Sequence, residues 1–306
     1  MKKILVIGSI NMDFIVNVKR SPEVGETVLA DGMKLMPGGK GANQAYAAGK
    51  LGGQVVMLGA VGRDSYGEQL SASLQKAGVD TGELKRNDSC PTAIALVYVN
   101  ESGDNSIVVV PGANATVDEA YIDEKKSLME ACDIVIMQLE IPVNTVLYAA
   151  RMAHGMGKTV ILDPAPAVPD LPDELFLYAD YMKPNETELE ILTGTGRASR
   201  REAMSQLKKR GVKNVIVTLG SAGCVYLDEE NNFGEVPGEK VNAIDSTGAG
   251  DCFTAAFAVA LAKGEGMEEA LRFATGAAAV STTRAGAQPS YPDLEEVKKR
   301  LLEENH

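Results

Sequence analysis

Asp245-Ser246-Thr247-Gly248-Ala249-Gly250-Asp251 runs straight into the apolar stretch 252–262. Small residues stand where backbone must pass close to a ligand, and an acid ends the turn as a helix begins. Free backbone N–H groups, the positive helix end and one carboxylate are thereby gathered in one place. A phosphate and a hydroxyl losing its proton both find partners there. The segment reads as a phosphoryl-transfer centre, with Gly248, Ala249 and Gly250 supplying backbone and Asp251 the base. Taken alone, Asp251 is equally an ordinary helix cap.

Two familiar nucleotide signatures fail. No Gly-x-x-x-x-Gly-Lys-Ser/Thr occurs, and Gly248-Ala249-Gly250 lacks the third glycine of a dinucleotide fingerprint. Anion binding then rests on the turn before Asp251. Other polar groups sit beside small-residue turns. Asn11 and Asp13, just after the first apolar run, share one side of an extended chain. They suit neighbouring hydroxyls or a simple Asx-turn. Pro37-Gly38-Gly39-Lys40-Gly41-Ala42-Asn43-Gln44 opens a helix, with Asn43 in its first turn. Its glycines permit approach to a compact polar ligand, and Lys40 either balances charge or is solvated. Glu140 follows an apolar strand pattern, either where open α/β sheets bind ligands or as a solvated loop acid. Asn185 and Glu188 have capping-box spacing, which also suits a magnesium-phosphate held through water. Thr218-Leu219-Gly220-Ser221-Ala222-Gly223 is a turn that either lines a nucleotide or closes a hairpin. The loop 281–290 offers carbonyls to a monovalent cation beside Asp245.

The surroundings are those of an α/β protein. Apolar runs at 4–8, 55–61, 134–138, 159–163, 181–183, 215–219 and 224–227 predict strands. Helical patterns fall between them at 41–51, 66–76, 118–131, 143–154, 186–192 and 199–210. The last part is helical at 249–263, 267–282 and 294–304. That alternation predicts a three-layer α/β sandwich with a mostly parallel central sheet in one domain, 1–306. Alternating runs at 14–18, 28–35, 93–100 and 106–110, the last two around a hairpin signal at 101–105, break the rhythm. They predict a small β-sheet lid inserted at about 14–36 and 91–111, against the alternative of an edge extension of the main sheet.

Composition narrows the function classes. The 306 residues are 45% hydrophobic and 24% charged with net charge −12, so a basic nucleic-acid footprint is absent. No stretch approaches membrane-spanning length, and the N-terminal apolar run is too short for a secretory signal. Cys90, Cys132, Cys224 and Cys252 form no close pair, which fits a reducing cytoplasm. Cys252 adjoins Asp251 and is read as a packing residue rather than a reactive thiol. With only His154, in a helical last turn, and the terminal His306, histidine catalysis is excluded.

Asn11 and Asp13, Gly38 to Asn43, Lys183-Pro184-Asn185-Glu186-Thr187-Glu188 and Thr247 to Asp251 together resemble the ribokinase-like carbohydrate kinase family. The resemblance spans nearly the whole chain, in order. Met137-Gln138-Leu139-Glu140, Asp163-Pro164-Ala165-Pro166 and Gly286-Ala287-Gln288-Pro289-Ser290 strengthen it. It implies ATP-dependent phosphorylation of a ribose 5-hydroxyl. On this resemblance Asn11, Asp13, Gly39, Lys40, Gly41, Asn43 and Glu140 hold the sugar, and Asp251 takes the proton. Ala249, Gly250 and neighbouring amides form the anion hole. Asn185, the turn from Thr218 to Gly223, Gly250, Asp251 and Thr275 meet ATP, with Glu188 and Asn185 serving Mg²⁺ through water. Asp245, Thr247, Ser281, Arg284, Gly286 and Ser290 match a potassium loop, several through carbonyls. A homodimer through the lid sheets is implied as well. Ser246 departs mildly from the threonine many relatives carry, and Thr275 falls at a variable adenine-side position. Competing readings are a kinase for deoxyribose, another sugar or a nucleoside, and a non-catalytic sugar sensor. A nucleoside wants an aromatic platform, and the chain has no Trp. A sensor needs no base.

Overall fold

The computed structural model describes residues 1–102, 105–195 and 200–303. Its first half contains β1 (Lys3–Ile7), β2 (Asn11–Asn17), β3 (Gly32–Gly38), α1 (Lys40–Lys50), β4 (Gln54–Leu58), β5 (Ala60–Gly62), α2 (Ser65–Lys76), β6 (Lys85–Asn87), β7 (Ala93–Val99) and β8 (Asn105–Val110). There follow α3 (Glu119–Glu124), α4 (Lys126–Glu130), β9 (Ile134–Met137), α5 (Val143–Gly155), β10 (Thr159–Leu162), α6 (Asp173–Tyr178), β11 (Tyr181–Met182), α7 (Glu186–Thr193) and α8 (Arg200–Lys209). The chain ends with β12 (Asn214–Thr218), β13 (Gly223–Leu227), β14 (Phe233–Pro237), α9 (Ala249–Lys263), α10 (Met267–Ser281) and α11 (Leu294–Glu303).

An eight-stranded sheet in the order β14-β13-β12-β11-β10-β9-β1-β4 forms the centre. Neighbours from β12 to β4 run parallel, and β13 and β14 add an antiparallel edge. Strand β1 shows why both faces are covered. Ile4 and Val6 enter a core with Ala45, Ala48, Val259 and Ala277 from α1, α9 and α10. Leu5 and Ile7 enter another with Val146, Ala150, Phe176 and Leu207 from α5, α6 and α8. A strand buried on both sides is a continuous apolar run, which is how β1 and β9 read in sequence. Alanines at 255, 256, 258, 274 and 277 are fully buried, so α9 and α10 approach closely. The three-layer arrangement is as expected.

A separate four-stranded sheet, β3-β2-β7-β8, carries the inserted segments, so they are no edge extension. Its strands β2 and β7 run parallel, and β3 and β8 flank them antiparallel. Several boundaries differ from expectation. Strand β3 starts at Gly32 rather than 28 and runs on to Gly38. The helix expected over 118–131 breaks at Lys125 into α3 and α4. The strand expected over 55–61 is two: β4 in the main sheet, and β5 paired with β6 in a two-stranded ribbon. Strand β14 and helix α6 were not anticipated. Ser199, Glu304, His306 and the Gly103-Asp104 part of the hairpin signal lie outside the described residues.

Candidate active site

The loops after β1, β9, β10, β11 and β12 all leave the carboxyl edge of the parallel sheet, and the expected residues gather there. Asn11 begins β2 and pairs with Gly38 at the end of β3, so the strands of the small sheet start beside these loops. Gly39 caps α1 with φ 86°, and a Cβ there would lie 2.7 Å from the Asn11 amide nitrogen. Its freedom is needed for chain to pass chain. Gly41 likewise rests against the Gly8–Ser9 backbone. Glu140 is no solvated acid. It accepts from the Ser9 hydroxyl at 2.6 Å and the Lys40 amide at 3.0 Å, joining β1, α1 and the loop after β9.

Asp13 has a buried oxygen, Oδ1, with no hydrogen-bond partner among the described residues. Burial, helped by Glu140 and Asp251, raises its pKa from 3.8 to about 7. An orphaned carboxylate oxygen is what a polyhydroxyl ligand would satisfy. The folded protein holds this proton between about pH 4 and 7 while the unfolded chain does not. Stability therefore falls as pH rises through that window. Asp13→Asn is expected to raise the melting temperature of the ligand-free protein at pH 8 and leave it unchanged at pH 4. An equal shift at both pH values would contradict the assignment.

Asp251 is the third residue of α9. The N-cap is Gly248, φ 73°, whose missing Cβ makes room for the Tyr291 hydroxyl. Asp251 is thus not the cap. Its Oδ2 accepts from Asn43 Nδ2 and its Oδ1 from Gln44 Nε2, both at 3.0 Å. Burial raises its pKa, and Asp163 adds to the rise, against Lys40, Asn43 and Gln44. Lys40 is drawn down by burial, but Asp251, Asp163, Glu140 and Glu188 together raise its pKa overall. The ammonium balances charge and is not a solvated side chain. The Ala249 amide donates to Ser246 O at 3.1 Å. The next amides, at Gly250 and Asp251, stand in the first turn, where a helix leaves donors unpaired. Cys252 is fully buried, and burial pushes its thiol up to about 12, so it is a packing residue.

A cleft of about 860 Å³ opens on the other side of Gly250. Asn185, Thr218, Gly220, Ser221, Gly223, Gly250 and Thr275 line it. Leu219, Ala222 and Asp251 do not: Leu219 packs against the core, Ala222 closes a 3₁₀ turn, Gly220–Ala222, and the Asp251 carboxylate is held by Asn43 and Gln44. Glu239, Lys240, Val241, Ala243, Ser246 and Phe253 line the cleft without having been anticipated. Most lie between β14 and α9 in a stretch with no periodicity to reveal them. Asn185 Oδ1 accepts from the Glu188 amide and Glu188 Oε2 from the Asn185 amide, each at 2.8 Å, so the capping box is formed. Burial, with Asp163, raises the Glu188 pKa, partly offset by Lys183.

In the loop beside α9, Asp245 Oδ1 accepts from the Thr247 amide at 2.9 Å and its hydroxyl at 2.6 Å. Its Oδ2 accepts from the Gly286 amide at 2.7 Å. Ser281 and Ser290 donate their hydroxyls to the carbonyls of Ala278 and Ala287. The Arg284 guanidinium turns away to Glu296, leaving only its backbone for a cation. Oxygen is the donor throughout, which fits a hard cation. Among the described residues no cluster of three or more His, Cys, Asp or Glu side chains is placed to hold a metal ion.

Several residues quoted only as motif members are central. Gln44 bridges Asp251 to Asp163, which Lys183 pairs at 3.1 Å while also donating to Gly250 O at 3.3 Å. Gln138 donates to Gln44, and Gln288 to Asn43. A polar side chain inside an apolar pattern was the available signal.

Known proteins place this arrangement. The pattern of the pfkB family carbohydrate kinases matches residues 1–294. The ribokinase of Bacillus subtilis is 41% identical over 301 residues, covering 98% of this chain and 100% of the relative. The structure of a ribokinase from Thermotoga maritima superposes with TM-score 0.91 at 40% identity, over 99% of this chain and 100% of that one. The Arabidopsis thaliana ribokinase complexed with ribose and ATP superposes with TM-score 0.92 at 36% identity, over 98% of each chain. With fold, site and sequence in agreement over nearly its full length, the chain belongs to the pfkB family of carbohydrate kinases.

Proposed function

We propose that this protein is an ATP-dependent kinase that phosphorylates the 5-hydroxyl of D-ribose, giving ribose 5-phosphate. The observation that carries the reading is the position of Asp251. It is buried at the start of α9, held by Asn43 and close enough to Asp13 to raise that residue's pKa, and it directly follows Gly250, which lines the large cleft. Asp251 accepts the hydroxyl proton. The first-turn amides of α9 and its positive end stabilise the transferring phosphoryl group. Asn11 and Asp13 bind the sugar, while Gly39, Gly41 and Glu140 shape the turn that holds it. Asn43 both faces the sugar and orients Asp251. Lys40 offsets the carboxylates. The transfer demands alignment and charge stabilisation more than covalent help.

ATP occupies the cleft between Thr218–Gly223 and Thr275. Mg²⁺ would supply charge neutralisation on the phosphates, held through water by Asn185 and Glu188. The raised carboxyl of Glu188 fits a partner that brings positive charge. K⁺ would sit in the oxygen-lined loop of Asp245, Thr247, Ser281, Arg284, Gly286 and Ser290. The protein works as a homodimer through its lid sheets, in support of which Met33, Leu35 and Ile107 to Val110 expose apolar side chains. A cytoplasmic setting is supported by four free thiols. No helix among the described residues is long and apolar enough to cross a membrane.

A panel of ribose, deoxyribose, fructose and adenosine with ATP is expected to show the highest kcat/KM for ribose. Preference for another acceptor would overturn the substrate assignment. The ribose rate is expected to rise with K⁺ in sodium-free buffer, and a flat titration would remove the cation. A monomer by light scattering at micromolar protein would remove the dimer.

A further inference from the structure

The buried amides around Asp251 form a directed chain whose order follows from chemistry alone. An ionised carboxylate only accepts, so the Asn43 atom 3.0 Å from Asp251 Oδ2 is Nδ2. Asn43 therefore turns Oδ1 the other way, where Gln288 Nε2 donates to it at 3.2 Å. That leaves Gln288 Oε1 as an acceptor, and the Ser73 hydroxyl donates to it at 3.1 Å. Reversing any amide in this chain sets like against like. Gln288, Asn43 and Asp251 are all buried, so water does not repair a broken link.

The far end of the chain lies in a telling place. Gln288 begins the 3₁₀ turn Gln288–Ser290, two residues after Gly286, whose amide is held by Asp245. Asp245 also holds Thr247, directly before the Gly248 cap of α9. Tyr291, just past the same turn, donates its hydroxyl to Gly248 O at 3.1 Å. The segment 286–291 thus reaches the helix start through Asp245 and Tyr291, and the Asp251 carboxylate through Gln288.

We infer that Gln288 is a positioning residue for Asp251: acting only through Asn43, it fixes the carboxylate's orientation and ties it to the 286–291 loop. The inference rests on the reading of Asp251 as the base. Lys40, Asp163, Asp13, Tyr291 and Cys252 face the same carboxylate, and none of them is changed by substituting Gln288. Gln288→Leu removes the donor to Asn43 and frees its amide to turn. Asp251 then loses a bond that favours its ionised form, so its pKa rises.

The test is kinetic. Gln288→Leu is expected to lower kcat about tenfold with a near-native ribose KM. The acid limb of kcat/KM should move to higher pH. Asn43→Ala/Gln288→Leu should be no slower than Asn43→Ala alone, because both lie on one path. Multiplying losses, or an unmoved acid limb, would overturn the inference. If Gln288→Leu does not fold, Ser73→Ala, which removes only the terminal donor, should move the limb the same way by less, and a native profile would overturn the inference equally. Failure of the base assignment is distinguishable, because it appears as native kcat in Asp251→Asn.

Discussion

Asp251→Asn is expected to lower kcat by about 10²–10⁴-fold, the range for losing a positioned general base, while the ribose KM stays near native. The carboxamide cannot take the hydroxyl proton. The pocket should survive, because Asn is the same size and Asn43 and Gln44 are buried near the start of α1. One of those two amides would meet an NH₂ group in place of a carboxylate oxygen. A modest stability loss is therefore expected, and binding of ribose by calorimetry is the control. The native enzyme should itself lose activity as pH falls, since burial and Asp163 make Asp251 easier to protonate than an exposed aspartate. Turnover of Asp251→Asn within tenfold of native would remove Asp251 from the role.

Lys183→Met is expected to destabilise the fold by about 3–5 kcal/mol, the range for breaking a buried ion pair from one side. Lys183 and Asp163 are almost completely buried and 3.1 Å apart. Gln44 donates to Asp163 at 2.9 Å and Thr254 at 3.4 Å, but neither carries charge. Among the described residues Asp163 Oδ1 has no partner, so the orphaned carboxylate would keep only Lys40 as a nearby positive charge. Asp163→Asn in the Lys183→Met background should recover part of the loss by removing the charge itself. Denaturant titration reads both effects. A single-variant loss below about 1 kcal/mol would mean that water or a neighbour replaces the ammonium. The pair belongs to the site as well as the core, because Lys183 also holds Gly250 O.

Much of this was legible in the chain. The strands of the parallel sheet announce themselves because burial on both faces requires an unbroken apolar run. What was misread is short, polar or broken. Strand β6 is Lys85-Arg86-Asn87, with nothing apolar to mark it, and β14 carries Gly234 and Pro237. The break at Lys125 interrupts a pattern that reads as continuous helix.

The site divides along the same physical line. Sequence by itself determined the layered α/β fold, the small separate sheet, the small-residue turn that opens α9 with Asp251 in its first turn, and the set of polar residues standing at strand ends. Each of these is a local property: periodicity, a small-residue turn, an acid in the first turn of a helix. Tertiary structure alone decided their partners. Asn43 and Gln44 reach Asp251 across 208 and 207 residues, and Gln288 reaches Asn43 across 245. It alone turned Glu140 from a loop acid into a brace and Arg284 away from its loop. Whether a polar group is solvated, capped or buried against a carboxylate depends on chain brought from elsewhere. No local spacing contains that information.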